Sequence, residues 1–224
     1  MNASLSPKQA RPARRAGGLI AGVYGITTEE SDPTVLAAKV ADALAGGVRV
    51  VQYRAKRLDG RARSAQLAHL LPLCRAASVP LIVNDDVELA VRSGADGAHI
   101  GIDDGEVATA RGRLRPGMLL GVSCYDRFDA ALRAAADGAD YVAFGSMFDS
   151  PTKPAAVRAS LELIADARRR LGIPIVAIGG ITARNAAAVV AAGADAIAVI
   201  SALFGAADVR AAAAELSEIF SSGK

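Results

Sequence analysis

Charged side chains follow several short apolar runs of the chain, in patterns that could bind a polyphosphate. Gln52-Tyr53-Arg54-Ala55-Lys56 ends one such run, and Asn84-Asp85-Asp86 ends the next. Asp103-Asp104 follows a third run, and Lys153 follows a later one. Mg²⁺ prefers oxygen ligands, keeps several waters and is often shared between a carboxylate and a phosphate. Carboxylates beside cations therefore indicate a Mg²⁺ ion that bridges the protein and a diphosphate.

Simpler interpretations of these carboxylates remain open at this point. Asp86 could cap a helix over Val87–Ser93, because an aspartate accepts hydrogen bonds from the free N–H groups of a first helical turn. Asp103 could be a solvated loop charge. Spacing alone does not decide between these roles and a metal site.

A second group of candidate residues lies near the end of the chain and has a different composition. Gly179-Gly180 follows one apolar run, and Ile200-Ser201 ends another, with a turn at residues 202–205. Glycine leaves backbone N–H groups accessible, and the N-terminus of a following helix favours an anion. These residues predict a site for a monophosphate, and a purely structural glycine turn is the alternative.

The two groups together predict an enzyme that joins two phosphorylated substrates while diphosphate departs. No cysteine–histidine or serine–histidine pair in the sequence favours acyl chemistry. His69 falls within a predicted helix and His99 within a predicted strand, and we interpret both as structural. Cys124 follows Ser123 at a strand end without a base near it in sequence, so we expect it to have no catalytic role.

The elements that must position these residues alternate between short apolar runs and Ala-rich segments with helical spacing. Runs that are apolar on both faces suit parallel strands covered by helices. The predicted strands are Gly22–Thr27, Arg49–Arg54, Leu81–Asn84, Gly97–Gly101, Leu119–Ser123, Tyr141–Gly145, Ile175–Gly179 and Ala196–Ser201. The predicted helices include Thr34–Ala45, Ala62–Ala77, Leu161–Leu171, Ala183–Ala192 and Val209–Phe220.

A repeat supports eight strand–helix units. Gly46-Gly47-Val48, Gly94-Ala95-Asp96, Gly138-Ala139-Asp140 and Gly193-Ala194-Asp195 recur at intervals of 48, 44 and 55 residues. Each interval is long enough for two units, which predicts a single α/β domain over residues 21–224, a (β/α)₈ TIM barrel. An open doubly wound sheet is the competitor, but no G-x-G-x-x-G follows the first strand. In such a barrel the active site forms at the C-terminal ends of the strands, and the loops after strands seven and eight bind phosphate.

Composition and charge exclude several classes of protein. The chain has 224 residues, 52% of them hydrophobic, which is enough for one buried core. No apolar run reaches the ~18 residues of a membrane-spanning helix. The excess of basic residues comes from a stretch that has no acidic residue, because without residues 1–20 the chain has 22 basic and 23 acidic residues. The remaining body is therefore not expected to bind nucleic acid.

The termini and the cysteines bear on location. Residues 1–20 contain Lys8, Arg11, Arg14 and Arg15, and we expect a disordered basic tail, with a nucleic-acid-binding arm as the alternative. The segment lacks the apolar core of a secretory signal. The two cysteines have no metal or redox spacing and indicate reduced thiols. We therefore expect a cytoplasmic protein without a membrane or nucleic-acid partner, and the sequence leaves open whether it forms a homo-oligomer.

Eight short motifs occur in order along the chain. They are Gly22-Val-Tyr-Gly-Ile-Thr27, Gln52-Tyr-Arg-Ala-Lys56, Val83-Asn-Asp-Asp86, His99-Ile-Gly101 with Asp104, Gly121-Val-Ser123, Pro151-Thr-Lys-Pro154, Ile178-Gly-Gly-Ile181 and Val199-Ile-Ser201. In this order they resemble the thiamine phosphate synthase family, and the resemblance covers the chain from about Gly22 to Phe220. Each motif alone is weak, but the ordered set is specific.

The resemblance implies a reaction and a set of residues. The family condenses 4-amino-2-methyl-5-hydroxymethylpyrimidine diphosphate with a thiazole phosphate, giving thiamine phosphate and diphosphate by a dissociative mechanism. Residues implied to bind the pyrimidine diphosphate are Gln52, Tyr53, Arg54, Ala55, Lys56, Asn84, Ser123 and Lys153, of which Arg54, Lys56, Ser123 and Lys153 would act in catalysis. Asp85 and Asp104 would hold Mg²⁺. Residues implied to bind the thiazole phosphate, carboxylated or hydroxyethylated, are Ser150, Pro151, Thr152, Gly180, Ile200 and Ser201.

Two segments depart from the family pattern. The loop that begins at Gly145 reads Gly-Ser-Met-Phe-Asp-Ser-Pro-Thr-Lys, where the family more often has Gly-Pro-Ile-Phe-Pro-Thr-x-Thr-Lys. Asp149 thus adds a negative charge near a phosphate site, which bears on thiazole phosphate affinity more than on the chemistry. The segment after Ser123 lacks a histidine often found there.

Two other functions remain to be weighed. The related thiazole tautomerase shares this barrel and the phosphate site, but it does not need a metal-bound diphosphate, so the set of Arg54, Lys56, Asp85, Asp104 and Lys153 argues against it. A non-catalytic regulator that senses thiamine precursors is the alternative from another class. Retention of every charged residue of the set argues against that as well.

Overall fold

Eight parallel strands close into a barrel in the order of the chain. The computed structural model describes residues 18–102, 105–149 and 158–221. Each strand pairs with the next, and the last strand pairs with the first at Gly22–Ala196 and at the three following residue pairs. The strands are β1 (Gly22–Ile26), β2 (Val50–Tyr53), β3 (Leu81–Asn84), β4 (Gly97–Gly101), β5 (Leu119–Tyr125), β6 (Tyr141–Phe144), β7 (Ile175–Ile178) and β8 (Ala196–Val199). The predicted single (β/α)₈ barrel is confirmed.

Helices follow the strands and cover the outside of the barrel. All five helices predicted above are present, with their ends moved by at most three residues. A short additional helix lies between the last strand and the last helix. The helices are α1 (Pro33–Ala45), α2 (Gly60–Ala76), α3 (Val87–Ser93), α4 (Val107–Arg113), α5 (Phe128–Ala136), α6 (Leu161–Arg170), α7 (Ala186–Ala191), α8 (Ser201–Phe204) and α9 (Val209–Ser221). None of the helices within the described ranges is long and apolar enough to cross a membrane.

Alternating residues of the strands separate two cores. One set, including Val50, Ile82 and Val176, fills the barrel interior. The neighbouring residues, such as Val51 and Val83, pack against the helices in a larger outer core. Because side chains of a strand alternate between its faces, the position of a residue in its strand decides whether it can reach the barrel mouth.

The Gly-Ala-Asp repeat closes the end of the barrel opposite the mouth. The carboxylates of Asp96, Asp140 and Asp195 accept hydrogen bonds from the backbone N–H groups of Leu81, Leu120 and Ile175, at 2.8–2.9 Å. Arg111 and Arg168 pair with the second and third of these carboxylates at 2.8 and 3.2 Å. Each aspartate therefore ties the start of its own strand to the start of a neighbouring one.

Ile20, which the sequence analysis grouped with the N-terminal segment 1–20, packs with the barrel. The side chain of Ile20 is fully buried and packs in the interior core with Tyr24 and Val50. Burial of an isoleucine removes its apolar surface from water, so Ile20 belongs to the barrel and not to a solvated tail. The basic residues from Lys8 to Arg15, which were predicted to lie in a disordered tail, are outside the described residues.

Candidate active site

The loop after β1 holds the start of the predicted diphosphate-binding segment. The backbone N–H of Arg54 donates to Thr27 Oγ1 at 2.9 Å, and the backbone N–H of Thr27 donates to the carbonyl of Gln52 at 2.9 Å. The backbone N–H of Lys56 donates to a carboxylate oxygen of Glu29. Arg54 and Lys56 therefore emerge at the barrel mouth from a loop that is held by hydrogen bonds of its backbone N–H groups.

Asp85 lies at the mouth in a backbone conformation that places its carboxylate beside Lys56. Its φ of 61° is left-handed, and its N–H donates to the carbonyl of His99 at 2.8 Å. Lys56 Nζ lies 3.1 Å from Asp85 Oδ2, and both side chains are more than a third exposed. The residues predicted for the diphosphate and for the metal are thus direct neighbours.

Asp86 has the structural role that the sequence left open. One of its carboxylate oxygens accepts from the N–H of Leu89 at 2.8 Å, which caps α3. The other lies 3.1 Å from a guanidinium nitrogen of Arg63 on α2. Both oxygens are engaged within the fold, so of the two adjacent carboxylates only Asp85 is presented to the mouth.

A chain of hydrogen bonds crosses the barrel interior beneath the mouth. Gln52 Nε2 donates to Tyr24 Oη at 2.9 Å, and Tyr24 Oη lies 2.7 Å from Tyr141 Oη. The hydroxyl of Tyr141 lies 3.1 Å from His99 Nδ1, and His99 Nε2 lies 2.8 Å from Ser123 Oγ. The two ends of this chain, Gln52 and Ser123, are both residues that the resemblance assigns to the pyrimidine diphosphate.

Burial sets the charge state of this chain. It lowers the pKa of His99 to about 4, although the negative charge of Asp85 opposes the shift. Burial also raises the pKa of Tyr24 and of Tyr141 above the ordinary value near 10. The imidazole is therefore neutral and both phenols are protonated at pH 7.

Strand alternation turns two predicted residues away from the mouth. Tyr53 is buried in the outer core, where its hydroxyl donates to Gln66 Oε1 at 2.8 Å. Ala55 packs against the same outer core. Their side chains do not face the mouth as the motif alone suggested, so only their backbone atoms could serve a ligand there. Asn84, two residues after the interior residue Ile82, is on the inner face.

The glycine-rich side of the mouth encloses a cavity of about 160 Å³. The predicted residues Gly180, Ile200 and Ser201 line it together with Gly179 and Asp149. Gly180 has a φ of 61°, and a Cβ there would lie 2.3 Å from the carbonyl oxygen of Asp149. Only glycine fits at this position, because both the backbone conformation and the space exclude a side chain.

Asn185 fixes the glycine turn from behind. Its Oδ1 accepts from the N–H of Thr182 at 2.9 Å, and its Nδ2 donates to the carbonyl of Gly180 at 3.0 Å.

The carboxylate of Asp149 pairs with Arg158. The negative charge that departs from the family pattern is therefore partly offset by a neighbouring cation.

Several predicted residues lie outside the described residues. These are Asp104, which was predicted to be a metal ligand, with its neighbour Asp103; Lys153, which was predicted to be catalytic; and Ser150, Pro151 and Thr152, which were predicted to bind the thiazole phosphate. Among the residues that are described, no three histidine, cysteine, aspartate or glutamate side chains form a group that could hold a metal ion. Asp85 nevertheless fits Mg²⁺, which is commonly held by one or two carboxylates with waters and substrate phosphates.

Two of the residues that were expected to have no catalytic role, His69 and Cys124, lie away from the mouth. His69 is exposed on α2. The side chain of Cys124 is fully buried in the outer core, although it follows Ser123 directly.

A larger cleft of about 610 Å³ lies at the N-terminal ends of the strands, and Gly94 and Leu119 are among the residues that line it. Barrel enzymes place their chemistry at the opposite end, so this cleft is not the candidate active site.

Sequence reasoning missed the residues that hold the site together. Glu29, Asn185, Tyr24 and Tyr141 make the contacts described above, yet none was singled out as part of a site. The alternation of side chains along β1 and β6 places Tyr24 and Tyr141 inside the barrel. This was the signal in the sequence that could have identified them, because a polar side chain inside a barrel needs a hydrogen-bond partner.

The barrel is closed, and its mouth carries cations and a carboxylate on one side and a glycine turn on the other. This combination is typical of a (β/α)₈ enzyme that binds phosphate groups. The thiamine monophosphate synthase family model matches residues 23–203. The chain belongs to this family, and it is an enzyme of thiamine biosynthesis with the family's thiamine-phosphate synthase activity.

Individual relatives agree over most of their length. A thiamine-phosphate synthase of Thiobacillus denitrificans is 56% identical over 199 residues, which are 89% of this chain and 94% of that protein. The enzyme of Methylobacillus flagellatus is 52% identical over 201 residues, covering 90% and 96%. Among solved structures, thiamine phosphate pyrophosphorylase from Pyrococcus furiosus superposes with a TM-score of 0.81 at 35% identity, over 90% of this chain and 96% of that one.

Proposed function

We propose that the chain condenses 4-amino-2-methyl-5-hydroxymethylpyrimidine diphosphate with a thiazole phosphate, with the help of Mg²⁺. The observation that carries the proposal is the division of the mouth into two differently built sides, each suited to an anion. Arg54, Lys56 and Asp85 lie on one side, and the cavity at Gly180 and Ser201 lies on the other. Two phosphorylated substrates bound there would meet across the mouth.

With hydroxyethylthiazole phosphate as the acceptor, the proposed reaction exchanges one bond for another without a proton transfer. With the carboxylated thiazole phosphate, the new carbon–nitrogen bond would be followed by loss of CO₂ and uptake of one proton at the same ring carbon. The bond between the pyrimidinylmethyl carbon and the diphosphate oxygen breaks, and its electron pair leaves with the diphosphate. The thiazole nitrogen then uses its lone pair to form the new carbon–nitrogen bond. No general base is required, which suits a mouth whose buried histidine is neutral and already engaged in hydrogen bonds.

Fixed positive charge is what this chain would contribute to the first step. Negative charge develops on the departing diphosphate, and preorganised cations stabilise the transition state more than the ground state. Arg54, Lys56 and Lys153 would supply these cations. Mg²⁺, when held by Asp85 with Asp104, would neutralise part of the same charge.

The remaining residues would bind and orient the substrates. Gln52, Asn84 and Ser123 would hold the pyrimidine from the barrel interior, with the backbone of Tyr53 and Ala55 beside them. The thiazole phosphate would lie against Gly180, Ile200 and Ser201, and Ser150, Pro151 and Thr152 would complete its site. We place this reaction in the cytoplasm, where the two buried thiols would stay reduced.

An assay with both substrates tests the proposal. Thiamine phosphate and diphosphate should form in equal amounts when both substrates and Mg²⁺ are present, and formation should fall sharply in excess chelator. Each substrate alone should give neither product. Isomerisation of thiazole phosphate in the absence of the pyrimidine substrate would instead indicate a tautomerase, and binding of precursors without turnover would indicate a regulator.

A further inference from the structure

The hydrogen-bond chain beneath the mouth has a direction that its donors and acceptors determine. It runs from Gln52 through Tyr24, Tyr141 and His99 to Ser123. Each tyrosine hydroxyl can donate one proton, and a neutral imidazole donates from one nitrogen and accepts at the other. If each buried hydroxyl donates its proton as well as accepting one, the first donor selects one of the two directions for the whole chain.

The direction follows from the amide of Gln52. Since Gln52 Nε2 donates to Tyr24 Oη, the hydroxyl of Tyr24 is left to donate to Tyr141. In this direction the hydroxyl of Tyr141 would donate to His99 Nδ1, and Nε2 would carry the imidazole proton. His99 Nε2–H would then donate to Ser123 Oγ, and the hydroxyl proton of Ser123 would not point back into the barrel.

We propose that Tyr24, Tyr141 and His99 are positioning residues that present Ser123 to the mouth as a hydrogen-bond donor and Gln52 as an acceptor through Oε1. The inference rests on the proposed function, because it takes the pyrimidine diphosphate as the ligand of both ends. That ligand offers a complementary pattern: its amino group donates, while its ring nitrogens and diphosphate oxygens accept.

Burial makes this arrangement persistent. Tyr24 and Tyr141 are at most 1% exposed, and Gln52 and His99 are 3% and 7% exposed. In such surroundings an unmet donor or acceptor costs the full desolvation of that group, so a reversed or broken link is penalised. The three inner residues thus connect Gln52 on β2 to Ser123 on β5, although none of the three needs to touch the substrate.

The tautomer of His99 tests the direction of the chain directly. The sequence contains two histidines, so ¹⁵N-histidine labelling gives two imidazoles, and His69→Gln identifies the signals of His99. We expect His99 to be protonated at Nε2 and unprotonated at Nδ1 in the substrate-free protein. Protonation at Nδ1 instead would overturn the proposal, because it would turn the Ser123 hydroxyl toward the imidazole. This measurement does not depend on turnover, so it separates a failure of the inference from a failure of the proposed function.

Tyr141→Phe tests what the chain does for the substrates. The variant removes the central hydroxyl with little change of shape, and loss of one buried hydrogen bond predicts about a tenfold rise in the Kd for the pyrimidine diphosphate. The Kd for thiazole phosphate should change less than twofold. Tyr24→Phe should show the same split, and the double variant should cost less than the two single effects combined because the chain is already broken.

Ser217→Ala is the matched control for loss of a hydroxyl. Ser217 Oγ lies 2.8 and 3.2 Å from the carbonyl oxygens of Ala213 and Gly46, which share its one hydroxyl proton, at the end of the barrel away from the mouth. It should leave the Kd values of both substrates unchanged. Equal weakening of both substrates in Tyr141→Phe and Tyr24→Phe would indicate a merely structural role, and unchanged binding of both would show that the chain does not position Ser123.

Discussion

The two sides of the barrel mouth are built from different parts of the chain. The side at β2 and β3 presents side chains: Lys56 and Asp85 pair at 3.1 Å, and the loops beneath them are fixed by backbone hydrogen bonds. The side at β7 and β8 presents backbone at Gly179 and Gly180, with no side chain at the turn itself. One side is therefore sensitive to the removal of charge, and the other to the addition of atoms.

This difference follows from what each ligand would require. A departing diphosphate gains charge during the reaction, and fixed cations and a metal carboxylate can respond to that change. A monophosphate that stays bound through the reaction needs recognition, which backbone N–H groups supply without large charge. The comparison predicts that substitutions on the first side mainly lower kcat and those on the second mainly weaken thiazole phosphate binding.

The largest effect is expected at Asp85. Asp85→Asn keeps a residue that tolerates the left-handed φ of 61° and removes only the charge. We expect kcat/KM for the pyrimidine diphosphate to fall by about 10²–10³, the range for loss of one preorganised electrostatic contact. The Mg²⁺ concentration that gives half-maximal activity should rise as well. Steady-state kinetics with Mg²⁺ varied at each substrate concentration measures both.

Asp86→Asn is the matched control for that change. It removes the same charge one residue further on, and asparagine retains the capping interaction with α3. Its activity should stay within a few-fold of the wild type. Equal losses in the two variants would mean that negative charge in this loop matters in general and that Asp85 has no specific role.

The sequence predicted the glycine turn after β7 and the end of β8 better than it predicted the direction of the side chains after β2. Alternation of apolar residues and the Gly-Ala-Asp repeat were enough for the eight strands, and Gly180 and Ser201 followed from the position of the loops after β7 and β8. The same alternation, applied to Gln52 and Tyr53, would have sent the tyrosine outward, where it donates to Gln66.

The contacts that hold the site could not be predicted in the same way. Tyr24 and Tyr141 meet only because the barrel closes, 117 residues apart in sequence. Asn185 reaches the carbonyl of Gly180 through a turn whose shape no local pattern specifies. Residues that act through a neighbour leave little trace in spacing, because their partners are set by the tertiary fold.

Gly180→Ala tests the other side of the mouth. The new Cβ would meet the carbonyl oxygen of Asp149 at 2.3 Å in a left-handed backbone conformation, so the turn must move. A displacement of about 1 Å at a binding site can cost about 10²-fold, and we expect that loss in kcat/KM for thiazole phosphate. Binding of the pyrimidine diphosphate, followed by calorimetry, should change little.

Gly172→Ala is a suitable control for Gly180→Ala. Gly172 precedes β7 at the far end of the strand, and a Cβ there has no neighbour within 4 Å. The variant should bind both substrates as the wild type does. If Gly180→Ala bound thiazole phosphate normally, the glycine turn would not be the site of that ligand.

A smaller effect is expected from Asn185→Ala. The substitution removes the hydrogen bonds to Thr182 and to the carbonyl of Gly180 while leaving the turn itself unaltered. Loss of interactions worth about 1 kcal/mol predicts about a fivefold higher KM for thiazole phosphate. The kcat should fall less than in Asp85→Asn. A change confined to the KM for the pyrimidine diphosphate would contradict the division of the mouth proposed here.

The smallest effect is expected at the two cysteines. Cys124 follows Ser123 directly, so it tests whether the alternation of side chains along β5 keeps even a direct neighbour of Ser123 out of the site. Cys124 and Cys74 are fully buried, and burial raises the pKa of each thiol to about 12 from an ordinary value near 9. The thiolate is the reactive form, so a shift of this size lowers its fraction at pH 8 by about 10³. Alkylation of the native protein at pH 8 should therefore be at least about 10²-fold slower than in guanidinium and should leave activity intact. Because the folded thiols hold their protons more tightly, the unfolding free energy should fall as pH rises from about 9 toward 12. Rapid labelling of Cys124 in the native protein, with loss of condensation, would show that the outer face of β5 takes part in the site after all.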